Sequence, residues 1–376
     1  MNVLHVYRTY FPDTQGGLEE VIRQICLGSK PEGVNSRVFT LSEEPYPRNL
    51  NRVEAEVMRV RKTFEIASCG FALTGMRRFA SAVEWADIVH YHYPWPFSDL
   101  MYLTVGRRRP AILTYHSDIV RQKLLLSLYR PLMRRYLGAM DRIIATSPNY
   151  CATSEVLTEF AEKVEVIPIG LDEPSYPTSG QYNRDLEATR QRFGEGFFLF
   201  VGVLRYYKGL HILLDAMQGA PYKVVIVGAG PVEAELREQA RRLQLDNVVF
   251  AGFLPDREKM ALFNLCRAVV FPSYLRSEAF GVTLLEGAMS AKPLISAEVG
   301  SGTSHVNIDG ETGLVVPPSD SVALRAAMDR LYAEPDQARR MGRNARRRYE
   351  SLFTGVSMGE RYADVYSRVI RDSRAA

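Results

Sequence analysis

Short apolar runs alternate with amphipathic stretches along the whole chain. Six runs in the first half are typical of strands: Val3–Tyr7, Val38–Leu41, Ile88–Tyr91, Ala111–Tyr115, Arg142–Ala145 and Val164–Ile167. Six more follow in the second half: Phe197–Val201, Lys223–Val227, Val248–Ala251, Ala268–Phe271, Pro293–Ser296 and Gly313–Val316. Strands that alternate with helical segments indicate parallel sheets with crossover helices. The pattern therefore predicts an α/β fold of two doubly wound parallel-sheet domains.

The domain bounds follow from chain length and from one break in this rhythm. A chain of 376 residues exceeds one ordinary core, and two domains of roughly 150 to 200 residues are expected. Prolines, serine and glycine interrupt the pattern after Asp172. We interpret residues 176–191 as a linker between a first domain, 1–175, and a second domain, 192–355. A final helix lies within 356–376.

Composition excludes several classes of protein. The chain is 46% hydrophobic and 24% charged, as in soluble globular proteins, and no apolar run reaches the roughly 18 residues of a membrane span. The N-terminus lacks the features of a signal peptide, so we expect a cytoplasmic location. The cysteines are far apart and predict neither a disulfide framework nor a zinc site. They are Cys26, Cys69, Cys151 and Cys266.

The turn after Phe197–Val201 has chemistry suited to a pyrophosphate. Gly202 lets the backbone approach a ligand closely, and Arg205 and Lys208 can neutralise the charge of a departing nucleotide diphosphate. Basic residues are also common in turns, so a solvated strand-to-helix turn is the alternative interpretation.

A second motif follows about 70 residues later. Glu278 lies on a loop that leaves a strand, where its carboxylate can accept hydrogen bonds from sugar hydroxyls. The segment from Gly281 to Thr283 begins a helix, whose free amides and dipole favour a phosphate. Glu286 is placed to reach ribose hydroxyls. Thr283 and Glu286 also match a capping box that needs no ligand. The conjunction of both motifs at the carboxyl ends of parallel strands favours a ligand site.

The first domain offers further candidates. Gly16 and Gly17 precede a helix, in a loop that can approach a ligand. His116 follows a strand, where a lone histidine is more often structural. His90 and His92 share one strand face, but no third ligand follows at a spacing useful for a metal. We interpret this pair as core or cleft-lining residues.

Two other nucleotide-binding motifs are incomplete. Gly228 and Gly230 follow a strand, as in dinucleotide enzymes, but Glu233 occupies the third glycine position. No Gly-x4-Gly-Lys-Ser/Thr loop is present, which argues against an ATPase.

The chain resembles the retaining glycosyltransferases of the GT-B fold, family four, over almost its whole length. The likeness rests on the GxLxxxKG-type turn that ends in Lys208-Gly209, on two glutamates separated by seven residues, and on Gly16-Gly17. The segments Arg276-Ser-Glu-Ala-Phe-Gly281 and Thr114-Tyr-His-Ser-Asp118 are similar to bacterial enzymes that build polymannose or D-rhamnan O-polysaccharides from GDP-linked sugars. The resemblance implies two Rossmann-like domains facing a cleft, with the acceptor on the first, the nucleotide sugar on the second, and the last helix crossing back.

The resemblance also implies roles for individual residues. Lys208 and Arg205 would bind the diphosphate, Glu278 a sugar hydroxyl and Glu286 the ribose, while His116 would lie near the reacting sugar. His116, Lys208, Arg205 and Glu278 are thus the candidate catalytic residues. The other candidate donor-binding residues are Gly16, Gly17, Asp118, Gly202, Gly281, Val282, Thr283 and Leu254, the last near the nucleotide base.

The diphosphate turn departs from the family pattern at one position. Many relatives carry arginine directly after the glycine, where this chain has Val203, so Arg205 is displaced by two positions. The resemblance implies no metal and no other cofactor. The donor phosphate oxygen would take the proton of the acceptor hydroxyl on the same face, while the protein positions the reactants and stabilises charge.

Positive charge is concentrated in one segment. Residues 107–142 hold nine basic and two acidic residues, 9 − 2 = +7, against +4 for the whole chain. Leucines and tyrosines alternate with Arg121, Lys123, Arg130, Arg134 and Arg135, which suits a helix on an anionic bilayer. An amphipathic helix with a solvated basic rim is the alternative. A lipid-linked acceptor favours peripheral association with the inner face of the cytoplasmic membrane, and no nucleic-acid partner is expected.

The sequence therefore predicts a retaining glycosyltransferase. It would transfer mannose or D-rhamnose from a GDP-sugar to a polyprenyl-diphosphate-linked glycan in O-antigen and lipopolysaccharide synthesis, with other O-polysaccharide glycosyltransferases as candidate partners. Another nucleotide-sugar transferase, an epimerase or phosphorylase of the same fold, and an inactive glycan-binding module are the alternatives.

Overall fold

The computed structural model describes residues 1–66, 69–119, 123–177 and 182–375. The chain forms two compact units. The first comprises Met1–Gly170 and Gly355–Ala376, and the second comprises Leu171–Thr354. Each unit is an α/β structure with its own sheet, so the predicted fold class is confirmed.

The first unit is built on a large, mostly parallel sheet. Its described strands are β1 (Asn2–Val6), β2 (Asn35–Ser42), β3 (Asn49–Asn51), β4 (Glu56–Arg61), β5 (Phe64–Ile66), β6 (Cys69–Phe71), β7 (Ile88–Tyr93), β8 (Ala111–Tyr115), β9 (Arg142–Ala145) and β10 (Val164–Val166). Among the described residues, eight of them form one sheet in the order β10-β9-β8-β7-β1-β2-β4-β3, and β5 and β6 form a separate two-stranded antiparallel sheet. Only β3 joins the eight-stranded sheet antiparallel. The central strands are buried, which explains their nearly continuous apolar runs.

Helices flank this sheet. In the first part of the chain they are α1 (Gly17–Ser29), α2 (Met76–Trp85), α3 (Pro96–Thr104), α4 (Lys123–Gly138), α5 (Pro148–Thr153) and α6 (Glu155–Glu159). The starts of α5 and α6 are set by Ser147 and Ser154, whose side-chain oxygens accept hydrogen bonds from the backbone amides of Tyr150 and Leu157.

The second unit is wholly parallel in its described part. Its strands are β11 (Phe198–Val201), β12 (Val224–Val227), β13 (Val248–Gly252), β14 (Ala268–Phe271), β15 (Leu294–Ala297) and β16 (Gly313–Val316), in the order β13-β12-β11-β14-β15-β16. Its helices are α7 (Tyr182–Phe193), α8 (Leu210–Ala216), α9 (Glu233–Arg242), α10 (Asp256–Leu265), α11 (Val282–Met289), α12 (Thr303–Val306), α13 (Ser321–Ala333) and α14 (Pro335–Leu352). Buried aliphatic and aromatic side chains of β11, β12 and α8 form the centre of the core.

The linker predicted over residues 176–191 is wrong for much of its length, because α7 occupies residues from 182 onward. The prolines and glycine that suggested a linker all precede this helix. Thr189 and Phe193 lie about one turn apart and are both buried. The helix packs against α10 and is therefore part of the second unit.

The chain returns to the first unit in its last helix, α15 (Gly355–Ala375), which fills nearly all of the segment 356–376 predicted to hold it. It packs against α1, where a Cβ on Gly359 would lie 1.9 Å from the carbonyl oxygen of Gly28. Glycine is therefore required for the two helices to approach this closely. No helix in the described part of the chain has the length and apolar character needed to cross a bilayer.

Candidate functional site

The two motifs of the second unit meet at the carboxyl ends of adjacent strands. Strands β11 and β14 are paired in parallel, and their last residues, Val201 and Phe271, precede the two motifs. The Nζ atom of Lys208 forms an ion pair with Oε2 of Glu278, and it lies 4.7 Å from the ring centroid of Phe271. The hydroxyl of Ser273 donates to the same Glu278 oxygen at 3.0 Å. A cation and a carboxylate separated by 70 residues are thus held in one place.

Glycines allow the turns beside these strands to pack closely. Gly209 has a φ of 70°, and a Cβ there would lie 2.0 Å from the carbonyl oxygen of Pro272. Gly228 has a φ of 128°, and its Cβ would lie 2.0 Å from the carbonyl oxygen of Gly202. Gly228 therefore serves close packing of two turns, which explains a glycine here without a complete dinucleotide fingerprint.

The start of α11 differs from a capping box. Its N-cap is Gly281, with a φ of 91°, so Val282 is the first helical residue. The hydroxyl of Thr283 donates to the carbonyl oxygen of Val201 at 3.0 Å instead of capping the helix. The capping-box alternative is therefore wrong. The first amides of a helix lack intrahelical acceptors and carry the positive end of its dipole, so this end is suited to an anion.

Glu286 is held by residues that the sequence motifs did not indicate. Its Oε1 lies 2.8 Å from Nζ of Lys259 on α10 and accepts a 3.4 Å hydrogen bond from the hydroxyl of Tyr176. Burial opposes the charge on Lys259, but the carboxylates of Glu286 and Asp256 outweigh it and raise the pKa of this lysine. The local signal for Lys259 was its spacing of three from Asp256 on one helix.

Two further candidate residues of this unit, Arg205 and Leu254, take no part in these ion pairs. Arg205 is exposed at the start of its turn and makes no ion pair with any residue that the structure describes. Leu254, between β13 and α10, is buried. The structure thus pairs the side chain of Lys208 with that of Glu278, whereas Arg205 contributes its backbone carbonyl, which accepts a 3.0 Å hydrogen bond from the Lys208 amide.

Four predicted site residues belong to the first unit. Gly16 is the N-cap of α1 in an extended conformation, and Gly17 is the first residue of this helix. His116 and Asp118 follow β8. The Oδ1 atom of Asp118 accepts hydrogen bonds from the hydroxyls of Tyr115, at 2.9 Å, and Ser154, at 2.7 Å. Part of the Asp118 carboxylate is thus engaged in holding its own loop.

A cluster of four buried histidines lies at the centre of the first unit. Parallel pairing of β1 with β7 sets His5 beside His90, and the ring nitrogens of His5, His90 and His92 lie within 4.8 Å of one another. No third ligand follows His90 and His92 at a useful spacing in the sequence, but the fold brings His5, from an earlier strand, beside them. The interpretation of His90 and His92 as core residues is confirmed by their burial. His116 completes the cluster, with its Nε2 atom 3.0 Å from Nδ1 of His92.

The cluster is uncharged at neutral pH. Burial lowers the pKa of His5 and of His116 to about 3, and it lowers the pKa of His90 and His92 well below the usual value. His90 has both ring nitrogens in hydrogen bonds, at 2.7 Å to the hydroxyl of Thr114 and 2.8 Å to that of Tyr366 on α15. The hydrogen-bonded core of this unit therefore includes the last helix.

The fold is that of known glycosyltransferases. Sucrose-phosphate synthase from Thermosynechococcus elongatus superposes with a TM-score of 0.80, at 22% identity, over 99% of both chains. Anabaena HepE, solved with UDP and glucose, superposes with a TM-score of 0.77, at 21% identity, over 97% of this chain and 99% of its own. The architecture is GT-B, two Rossmann-like domains that each carry a parallel sheet.

Sequence similarity defines the family. Residues 15–173 match the model of Glycosyltransferase Family 4, and residues 183–348 match Glycosyl transferases group 1. The D-rhamnosyltransferase WbpZ of Pseudomonas aeruginosa is 54% identical over 94% of this chain and 92% of its own length. O-antigen chain mannosyltransferase C of Escherichia coli is 47% identical over 98% of this chain and 99% of its own length. The chain belongs to glycosyltransferase family 4 and is an enzyme of that class.

Proposed function

We propose that this enzyme transfers mannose or D-rhamnose from a GDP-sugar to a polyprenyl-diphosphate-linked glycan of an O-polysaccharide, with retention of configuration. The observation that carries the proposal is the 54% and 47% identity, over nearly the whole chain, to a D-rhamnosyltransferase and an O-antigen mannosyltransferase. The two sugars differ only by the 6-hydroxyl group, so both relatives are consistent with one donor chemistry.

The second unit supports a diphosphate site between Lys208 and the start of α11. In this proposal the donor phosphates take the place of the Glu278 carboxylate as the partner of Lys208, which frees Glu278 to accept a hydrogen bond from a sugar hydroxyl. The amides after Gly281 face the same anion, and Glu286, oriented by Lys259, binds the ribose. His116 contributes to binding of the transferred sugar. These groups bind the donor and stabilise the charge of departing GDP, and no metal is required.

The test is a transfer assay on the purified chain. GDP-mannose and GDP-D-rhamnose are each supplied with a polyprenyl-diphosphate-linked glycan, and GDP release and labelled glycan are measured together. We expect one of the two donors to be used, with UDP-linked sugars as the control. Release of no GDP from either donor would refute the proposal, while interconversion of the nucleotide sugars without transfer would indicate an epimerase.

We further propose peripheral attachment to an anionic membrane through residues 107–142. The described part of this segment supports it: Arg130, Arg134 and Arg135 are exposed on α4, and Leu128 on the same helix is 80% exposed. Arg134 is partly neutralised by Glu159, at 2.6 Å. Arg121 lies outside the described residues, as does the side chain of Lys123.

Liposome sedimentation tests this attachment. Each cation near an anionic surface contributes about 1 kcal/mol, so changing the three α4 arginines to glutamine removes about 3 kcal/mol and should weaken binding by about a hundredfold. A matched control changes three exposed arginines of α14 to glutamine, namely Arg339, Arg340 and Arg343. Equal sedimentation of both triple variants with vesicles rich in anionic lipid would rule out the proposed surface.

A further inference from the structure

Three of the buried histidines form a linear hydrogen-bonded chain. Nδ1 of His5 lies 3.1 Å from Nε2 of His92, and Nδ1 of His92 lies 3.0 Å from Nε2 of His116. His5 and His92 are fully buried, while His116 retains 5% exposure. This series of hydrogen-bonded histidines therefore starts inside the sheet, at His5, and ends at His116.

A neutral imidazole has one nitrogen that donates and one that accepts. In a chain of neutral rings, the position of one proton consequently determines the positions of the others. If His5 donates from Nδ1 to His92, then His92 donates from Nδ1 to His116, and His116 carries its own proton on Nδ1. If the hydrogen bonds point in the opposite direction, from His116 toward His5, every proton lies on Nε2, and Nδ1 of His116 is an acceptor.

The inner end of the chain favours one direction. Nε2 of His5 is buried without a hydrogen-bond partner among the described residues. With the protons on Nε2, this atom would be a buried donor without an acceptor, which is rarer in proteins than an unused acceptor. With the protons on Nδ1, it is only an unused lone pair.

His5, His90 and His92 have the spread of a metal-ligand set. However, His90 already uses both nitrogens on Thr114 and Tyr366, and His92 uses both on His5 and His116. A metal would have to break these hydrogen bonds. The described contacts therefore favour a proton-ordered chain.

We propose that His5 and His92 are positioning residues that hold His116 in the tautomer with its proton on Nδ1, so that His116 donates a hydrogen bond to an oxygen of the transferred sugar. This inference rests on the proposed function for its sugar contact. Its structural part, the ordered tautomer, stands on the hydrogen-bond chain alone.

Nitrogen-15 NMR of histidine-labelled protein tests the tautomer directly. Two-bond proton–nitrogen correlations distinguish the protonated ring nitrogen from the bare one, and single-histidine variants assign the signals. We expect wild-type His116 to be protonated on Nδ1 only. In His92→Phe it should populate both tautomers. Protonation of wild-type His116 on Nε2 overturns the inference. Because this observation is made on the wild-type protein, it does not depend on how well any variant folds.

Kinetics test whether His92 acts through His116. We expect His92→Phe and His116→Phe each to lower kcat/KM by about twofold to tenfold, the range of one net hydrogen bond, and the double variant to lose no more than His116→Phe alone. His90→Phe is the matched control, since it removes two hydrogen bonds from the same cluster but should leave the His116 tautomer unchanged.

Two results separate this inference from the proposed function. Additive losses in the double variant would mean that His92 has a structural role only, which overturns the inference. A wild-type chain that uses neither GDP-sugar refutes the proposed function instead, and the NMR signals of His116 then still decide the tautomer.

Discussion

Replacement of Lys208 by methionine tests the placement of the donor diphosphate. Methionine keeps an apolar side chain of similar length and removes the charge that lies over the ring of Phe271. Loss of one group that stabilises developing charge typically lowers kcat by about 10² to 10³, or about 2.7–4 kcal/mol. We therefore expect kcat/KM for the GDP-sugar to fall at least a hundredfold.

The same variant should also be less stable. It leaves the carboxylate of Glu278, which is 8% exposed, with the hydroxyl of Ser273 as a remaining donor. Removing one partner of a buried ion pair costs about 3–5 kcal/mol. The side chains of Lys208 and Glu278 are still 12% and 10% exposed, so solvent reduces the cost. We therefore expect a loss of stability at the lower end of this range, about 3 kcal/mol. At about 2–4 °C per kcal/mol, the Tm should fall by about 6–12 °C.

A double variant separates the two effects. Lys208→Met with Glu278→Gln removes both charges, so most of the stability should return while transfer stays lost. Lys292→Met, which removes a lysine of the same unit from a hydrogen bond to the Asn264 carbonyl, is the matched control and should keep full activity. Calorimetry and GDP release measure the two quantities. A Lys208→Met enzyme within threefold of wild-type kcat/KM would refute the placement of the diphosphate.

Three further predictions concern other groups, namely Thr283 and Lys259 in the second unit and Asp99 on α3 of the first. Thr283→Val removes the hydrogen bond to the carbonyl of Val201 and should cost about 1–2 kcal/mol in urea unfolding, with the donor KM within twofold of wild type. Lys259→Met leaves the carboxylate of Glu286, 4% exposed, without its cation, and should cost about 2–4 kcal/mol and raise the donor KM. Burial raises the pKa of Asp99 to about 8, above an unfolded value of about 3.9, so the folded chain keeps a proton that the unfolded chain releases. Its contribution to stability is therefore present below about pH 4 and is lost as the pH rises toward 8, and Asp99→Asn should lose less stability than wild type between pH 5 and 8.

Each of these predictions has a contrary outcome. A large rise in donor KM for Thr283→Val would mean that its hydroxyl contacts the donor instead of Val201. Unchanged stability and KM in Lys259→Met would show that Glu286 does not depend on this lysine. Identical pH slopes for wild type and Asp99→Asn would show that Asp99 is ionised in the folded chain.

Most of both sheets was predictable, because their central strands are buried on both faces and are therefore apolar throughout. Strand β4 was missed, since charged residues alternate with its apolar ones. Its Arg59 is buried, with Asp13, 46 residues away, as its ion-pair partner at 2.8 Å and the carbonyl oxygen of Glu44 as a further acceptor. The helix α7 was missed for a different reason. Its few apolar positions are outnumbered by charged ones, and only packing against α10 reveals its buried face.

In the candidate site, local motifs were predictable and distant partners were not. Lys208 and Glu278 each stand in a recognisable turn. The partner of Glu286, Lys259, comes from another helix, and His5 joins His90 only through strand pairing over 85 residues of sequence. Thr283 matched a local capping pattern, but a carbonyl 82 residues earlier in the chain took its hydroxyl.

The return of α15 to the first unit has a consequence for biosynthesis. The second unit is one continuous segment, whereas the first is divided by it, and the helix that packs against α1 is translated after the second unit. The second unit is therefore synthesised before Met358, Tyr362 and Tyr366, all buried on α15, are available to the first unit. The first unit can therefore be completed only after the second unit has been synthesised, and until then its α1 surface is open to chaperones.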